Sequence, residues 1–171
     1  MTAPFERHFT ATAYIVTGGK TLLLWHRKLG MWLPPGGHCE PNEDPVQAAC
    51  REAEEESGLA VEVILPPDLL VCGGPAILPP PVVILVEDIV RTDQPFHQHI
   101  DNVYFTRPTS GPVDFSASIP AGAHRWATAA ELQASFSLQT PDGNLVEVAQ
   151  DVRLLGIRAI AAAAAREIDL A

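Results

Sequence analysis

A chain of 171 residues fits one compact domain, and 47% hydrophobic residues is an ordinary globular proportion. No apolar run approaches the ~20 residues needed to cross a bilayer, and the stretch from Met1 to His8 lacks the charged-then-apolar pattern of a secretion signal, so a soluble cytoplasmic protein is expected. A formal net charge of -10 disfavours nucleic-acid polymers as partners. The three cysteines, Cys39, Cys50 and Cys72, are an odd number at wide spacings and read as ordinary thiols.

In chain order, residues 1 to 8 read as a flexible lead-in and residues 9 to 171 as a single domain. Phe9 to Thr17 and Thr21 to His26 are β-rich runs, and Gly18-Gly19 between them predicts a hairpin turn. Prolines and glycines break Trp32 to Gly37 into a tight loop. A helix follows over Asp44 to Ser57. Asp44 can cap it, Pro45 suits its first turn, Gln47 completes a capping box, and Gly58 can close it in the left-handed conformation.

Ala60 to Leu65 reads as a strand. Pro66 to Pro81 carries six prolines and two glycines and predicts a loop. Val82 to Val90 and His99 to Thr106 read as strands, Thr109 to Gly122 as irregular chain, Ala123 to Ala127 as a short strand and Ala129 to Ser135 as a short helix. The final helix is expected from Asn144 to Arg166, helped by the alanine run at residues 161 to 165.

The chemistry concentrates in residues 37 to 59, GHCEPNEDPVQAACREAEEESGL. Glu52, Glu55 and Glu56 stand at i, i+3 and i+4, which places all three on one helix face. Three close carboxylates repel one another unless they are solvated or bind cations, and clustered oxygen ligands suit magnesium or manganese. Acidic helices usually carry Lys or Arg four residues on, and none follows here. Arg51 is the helix's single basic residue, eight positions after Glu43. The residues by themselves leave both a solvated acidic face and a metal site open.

The segment resembles the Nudix box, G-x5-E-x7-R-E-U-x-E-E-x-G-U with U aliphatic. Gly37, Glu43, Arg51, Glu52, Glu55, Glu56, Gly58 and Leu59 fall in place, while Ala53 stands where a larger aliphatic residue is usual. The preceding Trp32 to Gly37 and the later His124 to Ala127 with Glu131-Leu132 are also similar to that family. The resemblance implies an α/β fold, a Nudix α/β/α sandwich with a mixed β-sheet. It implies a Nudix-type pyrophosphohydrolase using Mg2+, with Mn2+ as substitute. Glu55 and Glu56 would be the principal metal ligands, Glu52 a further ligand or the catalytic base, and the Gly36 carbonyl a backbone ligand. Arg51 would hold the carboxylates and pair with Glu43.

The sequence departs from the family at one place. Many members carry another glutamate in the loop before the last strand, and residues 113 to 126 contain none; Asp114 is the only carboxylate there. The other candidate is the strand around residues 96 to 104. With period two, His97, His99 and Asp101 share one face, so Asp101 is a candidate catalytic carboxylate and His99 a candidate substrate contact. The expected partner is a small-molecule nucleotide, a nucleoside di- or triphosphate first. ADP-ribose or a nucleotide sugar is the alternative, on the strength of Pro75 alone, and a nucleotide-sensing domain without turnover is another. A monomer or homodimer is expected.

Overall fold

Alternation along the first strand sets the layers of the molecule. The computed structural model describes residues 5–70, 72–109, 122–134 and 137–169, with side chains described as far as residue 166. In β1 (Glu6–Thr17), Ala11, Ala13 and Ile15 are fully buried in a cluster with Ala48, Ala49 and Ala53 of α1 (Pro45–Ser57). Tyr14 and Val16, with the opposite parity, pack against Leu155 and Ala159 of α3 (Gln150–Asp169). One strand thus serves two helical layers.

Around β1 the sheet is mixed. Gly18 and Gly19 take φ of 54° and 71°, the pair of positive values that a two-residue hairpin needs, and they return the chain as β2 (Lys20–His26). β3 (Met31–Leu33) and β8 (His124–Thr128) pair antiparallel with β2. β4 (Gly36–His38) pairs antiparallel with Thr10–Thr12 of β1. On its other edge β1 runs parallel to β7 (His97–Pro108) from Glu6–His97 to Ile15–Thr106. β5 (Val61–Val63) and β6 (Val83–Ile89) pair antiparallel with opposite halves of β7. With α2 (Ala129–Gln133) and α3 on the face away from α1, the result is the expected α/β/α sandwich.

Helix α1 ends where its residues predict. Asp44 accepts hydrogen bonds from the Val46 and Gln47 amides, the Asp44 amide donates to Gln47 Oε1, and Gly58 closes the helix at φ 73°. Three expectations are corrected. The first strand begins at Glu6, so residues 6 to 8 of the expected lead-in are strand, drawn in by pairing with His97–His99. Residues 31 to 38 are two short strands around Pro34-Pro35, because the Pro35 carbonyl still accepts from Ala13 N and keeps the chain on β1. The final helix starts at Gln150, since Leu145–Glu147 form β10 against β9 (Ser137–Gln139) across a turn at Gly143. Among the described residues no helix is long and apolar enough to cross a membrane.

The α1 cap is expected to matter because two otherwise free amides, those of Val46 and Gln47, depend on the Asp44 side chain. Asp44→Ala should cost about 1 kcal/mol and lower Tm by about 2–4 °C. An unchanged melting curve would mean that packing of the alanine face alone fixes the helix start.

Candidate active site

The site is assembled by one guanidinium. Arg51 Nε and Nη2 each donate to Glu43 at 2.9 Å, a bidentate fork. Nη1 donates to Glu52 at 2.8 Å and to Glu55 at 3.2 Å, and Nη2 also reaches the His38 carbonyl at 2.9 Å. Glu43 is held further by the Glu40 amide at 2.9 Å. The guanidinium beside it keeps the Glu43 carboxyl below the usual glutamate range, and the carboxylates raise the Arg51 pKa in return. Charge-assisted forks of this kind are short and strong.

Glu56 points the other way along the helix face and accepts from the Gly36 amide at 3.1 Å. Its side chain reaches solvent, but its carboxylate sits in a concave surrounding where protein displaces water. That desolvation pushes its pKa up, against the Gly36 hydrogen bond and with help from Glu52 and Glu55. Gly37 acts by contact rather than by backbone angle: a Cβ there would lie 2.6 Å from the Glu52 carboxyl carbon and would push that carboxylate from its place beside Arg51. At Gly36 a Cβ would lie 2.9 Å from the Ala11 carbonyl oxygen. The two glycines let β4 pass between β1 and the carboxylates. All donors here are hard oxygens, which fits magnesium or manganese better than a softer ion.

Behind β4 opens a cavity of ≈ 670 Å³, lined in part by Thr10, Thr12, Gly36, His38, His99 and Asp101. Period two is borne out in that His97, His99 and Asp101 all face it. Asp101 is 5% exposed and accepts from Thr10 Oγ1 at 3.0 Å. Burial raises its pKa, against hydrogen bonds from Thr12 and Thr10. Burial together with neighbouring imidazoles lowers His99 to about 4, so it is neutral at physiological pH.

The structure therefore gathers Glu43, Arg51, Glu52 and Glu55 in one hydrogen-bonded cluster with Glu56 on the adjoining Gly36. Asp101 and His99 stand on the cavity wall across β4, with no hydrogen bond or ion pair to the cluster. Asp114 lies outside the described residues. Sequence reasoning missed Thr10 and Thr12, which hold Asp101, and His8 and His38, which flank His99. The signal for Thr10, Thr12 and His8 was the alternation of β1, legible only once its parallel register with β7 is known; His38 comes in on β4.

The NUDIX domain model matches residues 6–147. The chain belongs to this family. A crystal structure of a NUDIX-family hydrolase from Clostridium perfringens is 28% identical, with a TM-score of 0.68 over 91% of this chain and 97% of that one. The MutT protein from Methanosarcina mazei Go1 (16% identity, TM-score 0.52, covering 92% of this chain and 97% of that one) has a similar fold. So does a MutT NUDIX hydrolase from Burkholderia pseudomallei (20% identity, TM-score 0.52, covering 91% and 96%). As a Nudix hydrolase this chain is an enzyme of the pyrophosphohydrolase class.

Removing Arg51 strands several carboxylates at once. Arg51→Ala should cost about 2 kcal/mol in the metal-free protein, between the values for exposed and buried pairs. Because the folded Glu43 pKa is depressed, its share of this stability is full above the ordinary value of about 4.3 and is lost as pH falls through the lower folded value. Melting curves from pH 7 down to 3 should show the wild-type advantage shrinking in acid; a constant gap would separate Arg51 from Glu43.

Proposed function

We propose that this Nudix enzyme hydrolyses the pyrophosphate linkage of a small nucleoside di- or triphosphate with divalent metal. The observation that carries the reading is the face of α1 that presents Glu52, Glu55 and Glu56 beside the Gly36–Gly37 backbone, which on its other side lines a cavity of nucleotide size. Gly36, Glu52, Glu55 and Glu56 would hold magnesium, with manganese as substitute. The bound ion supplies charge neutralisation for the diphosphate and Lewis acidity toward water.

The chain's own residues then divide the work. Arg51 fixes the spacing of Glu52 and Glu55 before substrate arrives, so little reorganisation is left for the reaction itself. Asp101, buried and raised in pKa, is suited to take the proton of the attacking water. As water oxygen bonds to one phosphorus, the bridging P–O bond breaks and the other phosphate departs with the electron pair. His99, neutral and on the same wall, contacts the substrate without competing for its charge. Lys28 and Arg91, also lining the cavity, can meet phosphate oxygens.

A panel of nucleoside di- and triphosphates, ADP-ribose and nucleotide sugars, read by product mass, tests the substrate class. Retained binding with no turnover on any of them would turn the reading toward a sensor. Glu55→Gln and Glu56→Gln should each slow turnover at least about a hundredfold, since each removes a charged ligand. Near wild-type rates in either would remove it from the metal site.

Asp101→Asn keeps the side chain's size and most of its threonine contacts. It should lower kcat more than it raises KM. If both constants stay unchanged, the proton passes to Glu52 instead.

A further inference from the structure

We propose that His8, His97 and His99, joined by His38, form a transition-metal site best suited to zinc, at the end of the cavity where β1, β4 and β7 meet. The parallel register sets His8 opposite His99 and Glu6 opposite His97, and β4 brings His38 to the same corner opposite Thr10. Imidazole nitrogens of His8, His97 and His99 all lie within 4.8 Å of one another. His38 Nε2 is 3.3 Å from His8 Nδ1. In a tetrahedral zinc site with bonds of about 2.0–2.1 Å, ligand nitrogens sit about 3.3–3.4 Å apart. One pair already has this spacing, and the triad needs to close by no more than about 1.4 Å, within reach of ring rotation.

The outer contacts point the same way. His97 Nδ1 lies 3.0 Å from the Pro95 carbonyl, which fixes the proton on that nitrogen and leaves the Nε2 lone pair free. His8 Nε2 lies 3.2 Å from Glu6 Oε2, a carboxylate-backed arrangement that leaves Nδ1 for the metal. His99 Nε2 is buried and has no hydrogen-bond partner among the described residues. The imidazoles around it leave that atom unexplained; a cation accounts for it.

The donor set also separates this site from the carboxylates. Imidazole favours zinc, copper and nickel, whereas magnesium prefers the oxygens of α1. A zinc ion here would tie the start of β1 to β4 and β7. His99 cannot offer one nitrogen to zinc and substrate together, so the loaded site would also remove that substrate contact. The proposal stands whether or not the hydrolase reading holds.

The test uses the full chain, stripped with chelator and then titrated with Zn2+ under saturating Mg2+. One equivalent of zinc should survive desalting and raise Tm. Replacement by Co2+ should give the intense visible bands of a tetrahedral nitrogen site. His8→Ala and His97→Gln should each weaken zinc binding at least about tenfold, while Glu52→Gln with Glu56→Gln should leave it intact. His8 is partly exposed, so its variant decides the matter if the buried His97 variant fails to fold. The proposal is overturned by zinc that magnesium displaces, by zinc lost in the glutamate variant and kept in the histidine variants, or by no retained zinc at all.

Discussion

The carboxylate cluster of the candidate active site depends on Arg51 holding like charges together. Glu52 and Glu55 follow it on the helix, Glu43 reaches it from the loop before, and one planar cation answers all three. Such a cluster without a cation would splay into solvent, and the helix face would become an ordinary acidic surface. The same guanidinium also bonds the His38 carbonyl. Through that bond it ties α1 to β4, and β4 is paired in turn to β1. Lysine, a point charge without the fork, could not make these contacts in one plane.

The approach of helix to sheet is made possible by small residues on both sides. Ala48, Ala49 and Ala53 on α1 meet Ala11 and Ala13 on β1, all fully buried. The position where the Nudix pattern commonly has a larger aliphatic residue is Ala53, which fits this narrow interface. Glycine at 37 leaves the Glu52 carboxylate its place beside Arg51, which a Cβ there would take. Gly36 is forced from the opposite side by Ala11 and Thr12. Packing and chemistry therefore impose the same residues, a consistency expected of a chain that specifies one structure.

What could be read from the sequence was local. The caps of α1, the Gly18–Gly19 turn, the carboxylate face and the shared face of His97, His99 and Asp101 follow from spacings of two to four residues. The Nudix pattern extended this to Arg51 and Glu43, whose contact spans eight positions. What escaped is non-local. Thr10 and Asp101 are 91 positions apart, and only the parallel pairing of β1 with β7 joins them. β4, β9 and β10 are three residues each, too short for a periodic signal, and they exist because neighbouring strands offer hydrogen bonds. The start of β1 at Glu6 has the same cause.

The two sides of β4 treat carboxylates in opposite ways. On the α1 side the Arg51 fork holds Glu43 below its ordinary pKa, so its ionised form stabilises the fold at neutral pH. On the cavity side Asp101 and Glu87 are pushed up by burial, and Asp101 raises Glu87 further. A carboxyl whose folded pKa lies above its unfolded one favours the fold in acid and loses that contribution as pH rises through the folded value. At neutral pH these two groups therefore weaken the fold. Val103 and Leu85 beside them show that apolar side chains fit this wall, and apolar replacements would pack there without the cost of burying charge. Groups kept in a cleft against stability are where function is expected, because a carboxyl with a raised pKa is a stronger base than an ordinary one.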